Sequence, residues 1–214
     1  MIKLVYGGSG SGKSAFAEQL AVSCGAERNY YVATMQVYDD EGKRKVARHQ
    51  KLREGKGFVT IEQPVDIGAV AGRIKSDSAE QILQDVRPDE ETTGKTGEKS
   101  AVLLECVTNL VANEMFPPEC FSGLEEAVVV ARIKSGLEEL FSAADDVVLV
   151  SGNVFDDGAE YDETILRYMR ALAALNAFVA SKSDEVYEVV AGIPLRIGSA
   201  ESAPEYKDAK MVIK

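Results

Sequence analysis

Apolar and polar positions along the chain fall into two alternating kinds of segment. Short apolar or β-branched runs recur at Ile2-Lys3-Leu4-Val5-Tyr6, at residues 29–34, at Phe58-Val59-Thr60-Ile61-Glu62, at Ala101-Val102-Leu103-Leu104-Glu105, at residues 146–151 and at residues 185–190. Such runs predict strands, and a continuous apolar run like 101–104 suits a strand covered on both faces of a parallel sheet. Between them lie stretches with helical spacing: Phe16, Leu20 and Ala21; Lys43 to Arg53; Ile67, Val70, Ile74, Ile82 and Val86; Val107 to Phe116, stopped by Pro117-Pro118; Gly123 to Ala143; and Tyr161 to Ser181, with Ile165, Leu166, Met169, Leu172, Leu175 and Val179 on one side. Strand and helix in alternation predict an α/β fold, a mostly parallel sheet with helices on both faces and ligands at the carboxyl ends of its strands.

Two stretches break the pattern. Residues from about 87 to 100 offer no apolar side chain for burial, which predicts an exposed insertion, and residues 199–214 read as a polar tail after one unit spanning 1–198.

The first turn carries the most specific signal. Gly7-Gly8-Ser9-Gly10-Ser11-Gly12-Lys13-Ser14 follows the first apolar run and opens directly into a helical stretch. Strand, glycine loop and helix in that order meet the phosphate-binding pattern G-x-x-x-x-G-K-[ST] without a mismatch, so a P-loop NTPase-like fold is expected. The loop amides and the helix start would wrap a β-phosphate, Lys13 would reach the β/γ oxygens, and Ser14 would ligate Mg²⁺.

Composition narrows the partners. The chain has 214 residues, 45% of them hydrophobic and 28% charged, with 35 acidic side chains against 24 basic and a formal charge of −11. A chain this acidic repels nucleic acid and anionic membrane, so neither is expected as a partner. No apolar stretch approaches the roughly eighteen residues of a membrane span. The three cysteines, Cys24, Cys106 and Cys120, have no C-x-x-C spacing and read as buried thiols, and a reducing, cytoplasmic setting is expected.

One segment reverses the charge. Lys43, Arg44, Lys45, Arg48, Lys51, Arg53 and Lys56 are seven bases among the sixteen residues from Glu41 to Lys56, and His49, the only histidine, lies among them. On a helix Lys45, His49 and Arg53 share a face, and two flanking cations would keep the imidazole neutral and nucleophilic toward phosphorus. A solvated basic helix with an incidental histidine explains the same residues equally well. Glu105 ends a strand where a P-loop enzyme often places a carboxylate for Mg²⁺, and Glu62 closes another, more simply read as a charge reaching solvent.

Taken together, the loop at 7–14, Tyr31-Val32-Ala33-Thr34, Asp39-Asp40-Glu41 followed by Arg48-His49, Thr60-Ile61-Glu62, Leu103-Leu104-Glu105-Cys106-Val107-Thr108-Asn109-Leu110-Val111, Asp184-Glu185-Val186 and Gly192-Ile193-Pro194 resemble the bifunctional adenosylcobinamide kinase and adenosylcobinamide-phosphate guanylyltransferase family of cobalamin biosynthesis. The resemblance implies two reactions: phosphorylation of adenosylcobinamide by a nucleoside triphosphate, and transfer of GMP from GTP through a guanylyl-histidine to give adenosyl-GDP-cobinamide. It matches His49 to the guanylylated position and implies nucleotide contacts at Gly7 to Ser14, Ala33, Thr34, Met35, Gln50, Lys51, Leu52, Arg53, Glu62 and Glu105. GTP, ATP and Mg²⁺ as ligands and a homotrimer are likewise implied. The chain departs from the family at Gly152-Asn153-Val154-Phe155, at Tyr168-Met169-Arg170 and at Phe58. A single-activity small-molecule kinase and a nucleotide-dependent binding protein without catalysis are the competing readings.

Overall fold

A computed structural model describes residues 1–36, 40–85, 98–118, 124–155 and 158–199, without the side chains of 41, 43, 45, 48, 49, 52 and 78–85. The elements run β1 (Ile2–Gly7), α1 (Lys13–Ser23), β2 (Arg28–Ala33), α2 (Asp40–Arg53), β3 (Phe58–Glu62), α3 (Gly68–Asp85), β4 (Ser100–Glu105), α4 (Val107–Met115), α5 (Glu126–Ala143), β5 (Asp146–Gly152), α6 (Glu163–Lys182), β6 (Glu185–Val190) and β7 (Ile193–Gly198). The expected strands and helices are all present, with ends moved by one to three residues. Most of the expected insertion, residues 86–97, lies outside the described residues, as does the tail beyond Ser199; Ser100, placed at the end of that stretch, is buried as the first residue of β4.

The strands form one sheet in the order β3-β2-β4-β5-β1-β6-β7. All pairings are parallel except the last, where β6 and β7 form an antiparallel hairpin. Pro194 is tolerated in β7 because that strand is the sheet edge. Ile193, Leu195 and Ile197 of the same strand are exposed.

Side chains alternate across the sheet, so each strand feeds two cores. On one face Leu4, Val32, Val102, Leu104 and Leu149 pack against residues of α3, α4, α5 and α6, including Ile74, Leu110, Leu137 and Leu172. On the other, Val5, Tyr31, Leu103, Val148 and Val150 meet Ala17 and Ala21 of α1. Helices cover both faces as expected, but unequally: four fill the first and α1 dominates the second. Each large aliphatic side chain buried this way contributes about 1.5–3 kcal/mol, and the four-helix side, with more of them, carries most of the core.

Candidate functional site

The phosphate loop is braced from behind by residues far along the chain. The Gly192 amide donates to the Ser11 carbonyl at 2.8 Å, and the Asn153 amide donates to the Gly7 carbonyl at 2.9 Å. Gly12 has φ +93°, a left-handed conformation, and a Cβ there would stand 3.3 Å from the Gly192 Cα. At Gly7 the constraint is distance, since a Cβ would lie 2.6 Å from the Val189 carbonyl oxygen. The loop is thus glycine-rich where the β6–β7 hairpin leaves no room for side chains.

α1 begins at Lys13 with Gly12 as its cap, no capping side chain and no acidic residue in its first turn. Its leading amides and positive dipole end are therefore available to an anion. The Lys13 ammonium donates to the Gly8 carbonyl at 2.9 Å, folded back over its own loop. The Ser11 hydroxyl is buried and lacks a hydrogen-bond partner among the described residues. A phosphate seated in the loop would offer both groups an acceptor.

Ser14, next along, donates its hydroxyl to Glu105 Oε1, and Tyr31 donates to Glu105 Oε2 at 3.0 Å. Both oxygens of that carboxylate are therefore engaged. The strand register explains how the surroundings arise: Ala33 is paired with Glu62 of β3 on one side and Glu105 of β4 on the other. Two acidic residues at one level of the sheet, their backbones about 10 Å apart by strand spacing, thus flank the smallest side chain of the three.

Above that row lies a cavity of about 490 Å³ lined by Tyr31, Ala33, Met35, Gln50, Arg53, Glu62 and Glu105, with Gln36, Val46, Thr60, Pro64, Cys106 and Asn109 completing the wall. Its roof comes from α2. The guanidinium of Arg53, the last residue of α2, stacks 3.5 Å from the centroid of the Tyr31 ring. Both are nearly inaccessible, Arg53 at 9% and Tyr31 at 4%, so the cation–π contact is worth on the order of 2 kcal/mol. Beyond the helix, Lys56 reaches Glu18 of α1 at 2.6 Å. Glu18 is fully buried, and Lys56 supplies the positive charge this carboxylate requires in an apolar setting.

The far edge of the cavity is set by α4. The Asn113 side chain donates to the Thr34 carbonyl at 2.7 Å and to the Pro64 carbonyl at 2.9 Å. Thr34 is buried; its hydroxyl donates to the Cys106 carbonyl and accepts from the Cys106 amide. Thr34 therefore joins β2 to β4 rather than facing the cavity, while its neighbours Ala33 and Met35 line it.

The expected residues thus fall into groups. The loop 7–14, Ala33, Met35, Gln50, Arg53, Glu62 and Glu105 converge on one region. Lys51 lines a shallower neighbouring hollow with Gln50, Arg53 and Phe58. The side chains of His49 and Leu52 lie outside the described ones, although α2 carries both, with His49 one turn before Arg53. Of the expected row Lys45, His49, Arg53, only Arg53 is described at its side chain. Two cysteines differ from expectation: Cys24 and Cys106 are free but half-buried rather than buried, and Cys120 lies outside the described residues. Burial pushes the Cys106 thiol up, against an opposing hydrogen bond from the Asn109 backbone.

The contacts of Tyr31 and of the Val189–Gly192 hairpin within this region are ones the residue pattern alone does not assign, although Tyr31 and Gly192 fall in segments that carry the family resemblance. Tyr31 shares a strand face with Ala33, two residues on, which is the one local signal for its role. Among the described residues no cluster of three or more His, Cys, Asp or Glu side chains could hold a metal by itself. Ser14 and Glu105 do converge as oxygen donors, which fits Mg²⁺, an ion commonly held by one or two carboxylates together with substrate phosphates. Among the described residues no helix is long and apolar enough to cross a membrane.

Comparison with known proteins gives a consistent result. A family model described as cobinamide kinase / cobinamide phosphate guanyltransferase matches residues 3–88 and 78–197. The bifunctional adenosylcobalamin biosynthesis protein CobU of Escherichia coli (strain K12) is 30% identical over 205 residues, covering 92% of this chain and 99% of that protein. The bifunctional adenosylcobalamin biosynthesis protein CobP of Pseudomonas aeruginosa is 28% identical over 197 residues, covering 91% and 96%. Among solved structures, the RadB recombinase aligns at a TM-score of 0.40 and 16% identity, over 87% of this chain and 73% of that one. A DnaB-like replicative helicase aligns at 0.44 and 8%, over 87% and 46%.

Proposed function

Because this chain belongs to the cobinamide kinase / cobinamide phosphate guanyltransferase family, and is thereby a transferase of cobalamin biosynthesis, we propose that it carries out both family reactions at the site just described. In the first, the aminopropanol hydroxyl of adenosylcobinamide attacks the γ-phosphorus of ATP or GTP; the bond to the β-phosphate oxygen breaks, the nucleoside diphosphate leaves and the hydroxyl proton is lost. In the second, a neutral nitrogen of His49 attacks the α-phosphorus of GTP and pyrophosphate departs. A phosphate oxygen of adenosylcobinamide phosphate then displaces His49 from that phosphorus, giving adenosyl-GDP-cobinamide and restoring the imidazole. Splitting nucleotidyl transfer in this way replaces one difficult step by two in-line displacements.

The observation that carries this reading is the junction of Ser14 with Glu105, which joins the phosphate loop to the cavity roofed by α2. In this reading the loop amides and Lys13 bind and orient the β- and γ-phosphates. Ser14 and Glu105 would hold Mg²⁺, which would supply neutralisation of phosphate charge. In this reading Ala33, Met35, Gln50, Arg53 and Glu62 contact the nucleotide, with Arg53 placing positive charge beside it, while Thr34 holds Ala33 and Met35 in place from behind and Lys51 and Leu52 are nucleotide contacts carried over from the family resemblance. The reading extends to a cytoplasmic homotrimer, for which light scattering at three times the monomer mass is the check.

The test uses the purified chain with Mg²⁺ and GTP labelled at either the α- or the γ-phosphate, followed by denaturation. Protein-bound label from the α position alone, acid-labile and alkali-stable and lost in His49→Ala, is the expected result. Label absent from a protein that still phosphorylates adenosylcobinamide overturns the guanylyl-histidine half and leaves a single-activity kinase.

A further inference from the structure

Tyr31 stands between the two parts of the site and touches both. It is nearly inaccessible in the middle of β2, in register with Thr60 of β3 and Leu103 of β4. Its hydroxyl donates to Glu105 Oε2 at 3.0 Å while Ser14 occupies Oε1, so the carboxylate is gripped from β2 and from the phosphate loop at once. The ring meets different partners. Arg53 lies 3.5 Å over its face and the Phe58 ring approaches its edge at 6.2 Å and 77°. Arg53 ends α2, the helix that holds His49 one turn earlier.

We propose that Tyr31 is a positioning residue for both reactions: its hydroxyl sets the orientation of Glu105 beside Ser14, and its ring seats Arg53 and with it the last turn of α2. The ring half rests on the guanylyl-histidine reading above; the hydroxyl half does not. The two halves are chemically separable. Phenylalanine keeps the platform for Arg53 and removes only the bond to Glu105, whereas leucine removes both.

The experiment measures γ-phosphate transfer to adenosylcobinamide across a Mg²⁺ titration, and the rate at which α-labelled GTP marks the protein, in wild type, Tyr31→Phe, Tyr31→Leu and Arg53→Lys. Tyr31→Phe is expected to raise the Mg²⁺ concentration for half-maximal γ transfer about tenfold, as loss of a partner behind a metal-bound carboxylate does, with a much smaller change in kcat at saturating Mg²⁺. Tyr31→Leu is expected to slow α-labelling a further tenfold or so beyond Tyr31→Phe without a matching loss in γ transfer, because misplacement of an attacking group is costly. Arg53→Lys, which keeps the charge and loses the planar stack, is expected to repeat that selective slowing even if Tyr31→Leu folds poorly. An unchanged Mg²⁺ requirement in Tyr31→Phe overturns the hydroxyl half. Equal losses of both reactions in Tyr31→Leu relative to Tyr31→Phe, or an Arg53→Lys enzyme without selective slowing, overturn the ring half. A wild-type protein that transfers γ-phosphate but takes no α label overturns the guanylyl-histidine reading and the ring half together, while the Mg²⁺ titration still decides the hydroxyl half.

Discussion

Ser14, the first hydroxyl after the P-loop lysine, donates to the carboxylate of Glu105 at the carboxyl end of β4, 91 residues along the chain. The pair unites the loop that would wrap phosphates with the strand that faces the cavity. Glu105→Gln preserves shape and removes charge, and it is expected to lower kcat/KM for both transfers about 100-fold, or roughly 2.7 kcal/mol. Ser14→Ala should lose a similar amount, and the double variant little more, because both substitutions act at one point. Steady-state kinetics with each labelled nucleotide checks all three.

Ala33 lies in register between Glu62 and Glu105 and lines the cavity with its methyl group. Ala33→Leu would fill that space, and it is expected to weaken nucleotide binding by about tenfold or more, roughly 1.4 kcal/mol. Titration calorimetry measures the affinity. Unaltered nucleotide affinity in a folded Ala33→Leu protein would show that the nucleotide does not occupy this cavity.

The Lys56–Glu18 contact carries stability. Glu18 is wholly buried and Lys56 is its ion-pair partner at 2.6 Å. Lys56→Met leaves the carboxylate in an apolar setting without its cation, an expected cost of about 3 kcal/mol in urea unfolding. Adding Glu18→Gln to Lys56→Met should restore part of that loss, since a neutral amide is cheaper to bury than an unpaired charge.

Asp146, at the start of β5, predicts an acid limb. Burial pushes its carboxyl up, but the hydrogen bond and charge of Lys99 at 2.7 Å, together with the chain amine, outweigh it and hold the group below the usual carboxylate range. A depressed folded-state pKa contributes stability that is present above the unfolded Asp value of about 3.9 and is lost as pH falls through the folded value. Wild type should therefore exceed Lys99→Met in Tm at pH 6, and the difference should shrink to nothing between about pH 4 and pH 2. Thermal scans across that range decide it.

What can be read from the residue order is whatever depends on near neighbours. The loop at 7–14 announces itself because its glycines, Lys13 and Ser14 are consecutive, and strand-then-helix alternation requires only local periodicity. Glu105 is visible as a carboxylate stopping an apolar run. The bond from Tyr31 to Glu105 is not, because it depends on β2 and β4 becoming neighbours across 74 residues. Likewise, nothing near Ser11 indicates that Gly192 will stand behind it. The unequal cover of the two faces and the antiparallel turn into β7 also emerge only from how the elements stack. Pairing register, rather than propensity, puts Glu62, Ala33 and Glu105 at one level.

The bond from the Gly192 amide to Ser11, with Val189 against Gly7, makes the first loop and the last hairpin a single object. During synthesis the glycine loop leaves the ribosome well before Val189 and Gly192, which form its rear wall. Until the hairpin is made, the Asn153 amide on Gly7 holds the loop without Gly192, and the full brace comes only as the hairpin closes on it. A polypeptide released before Gly192 is added would have the motif without its rear wall, so tight nucleotide capture is expected to report on whether the hairpin has been made and folded.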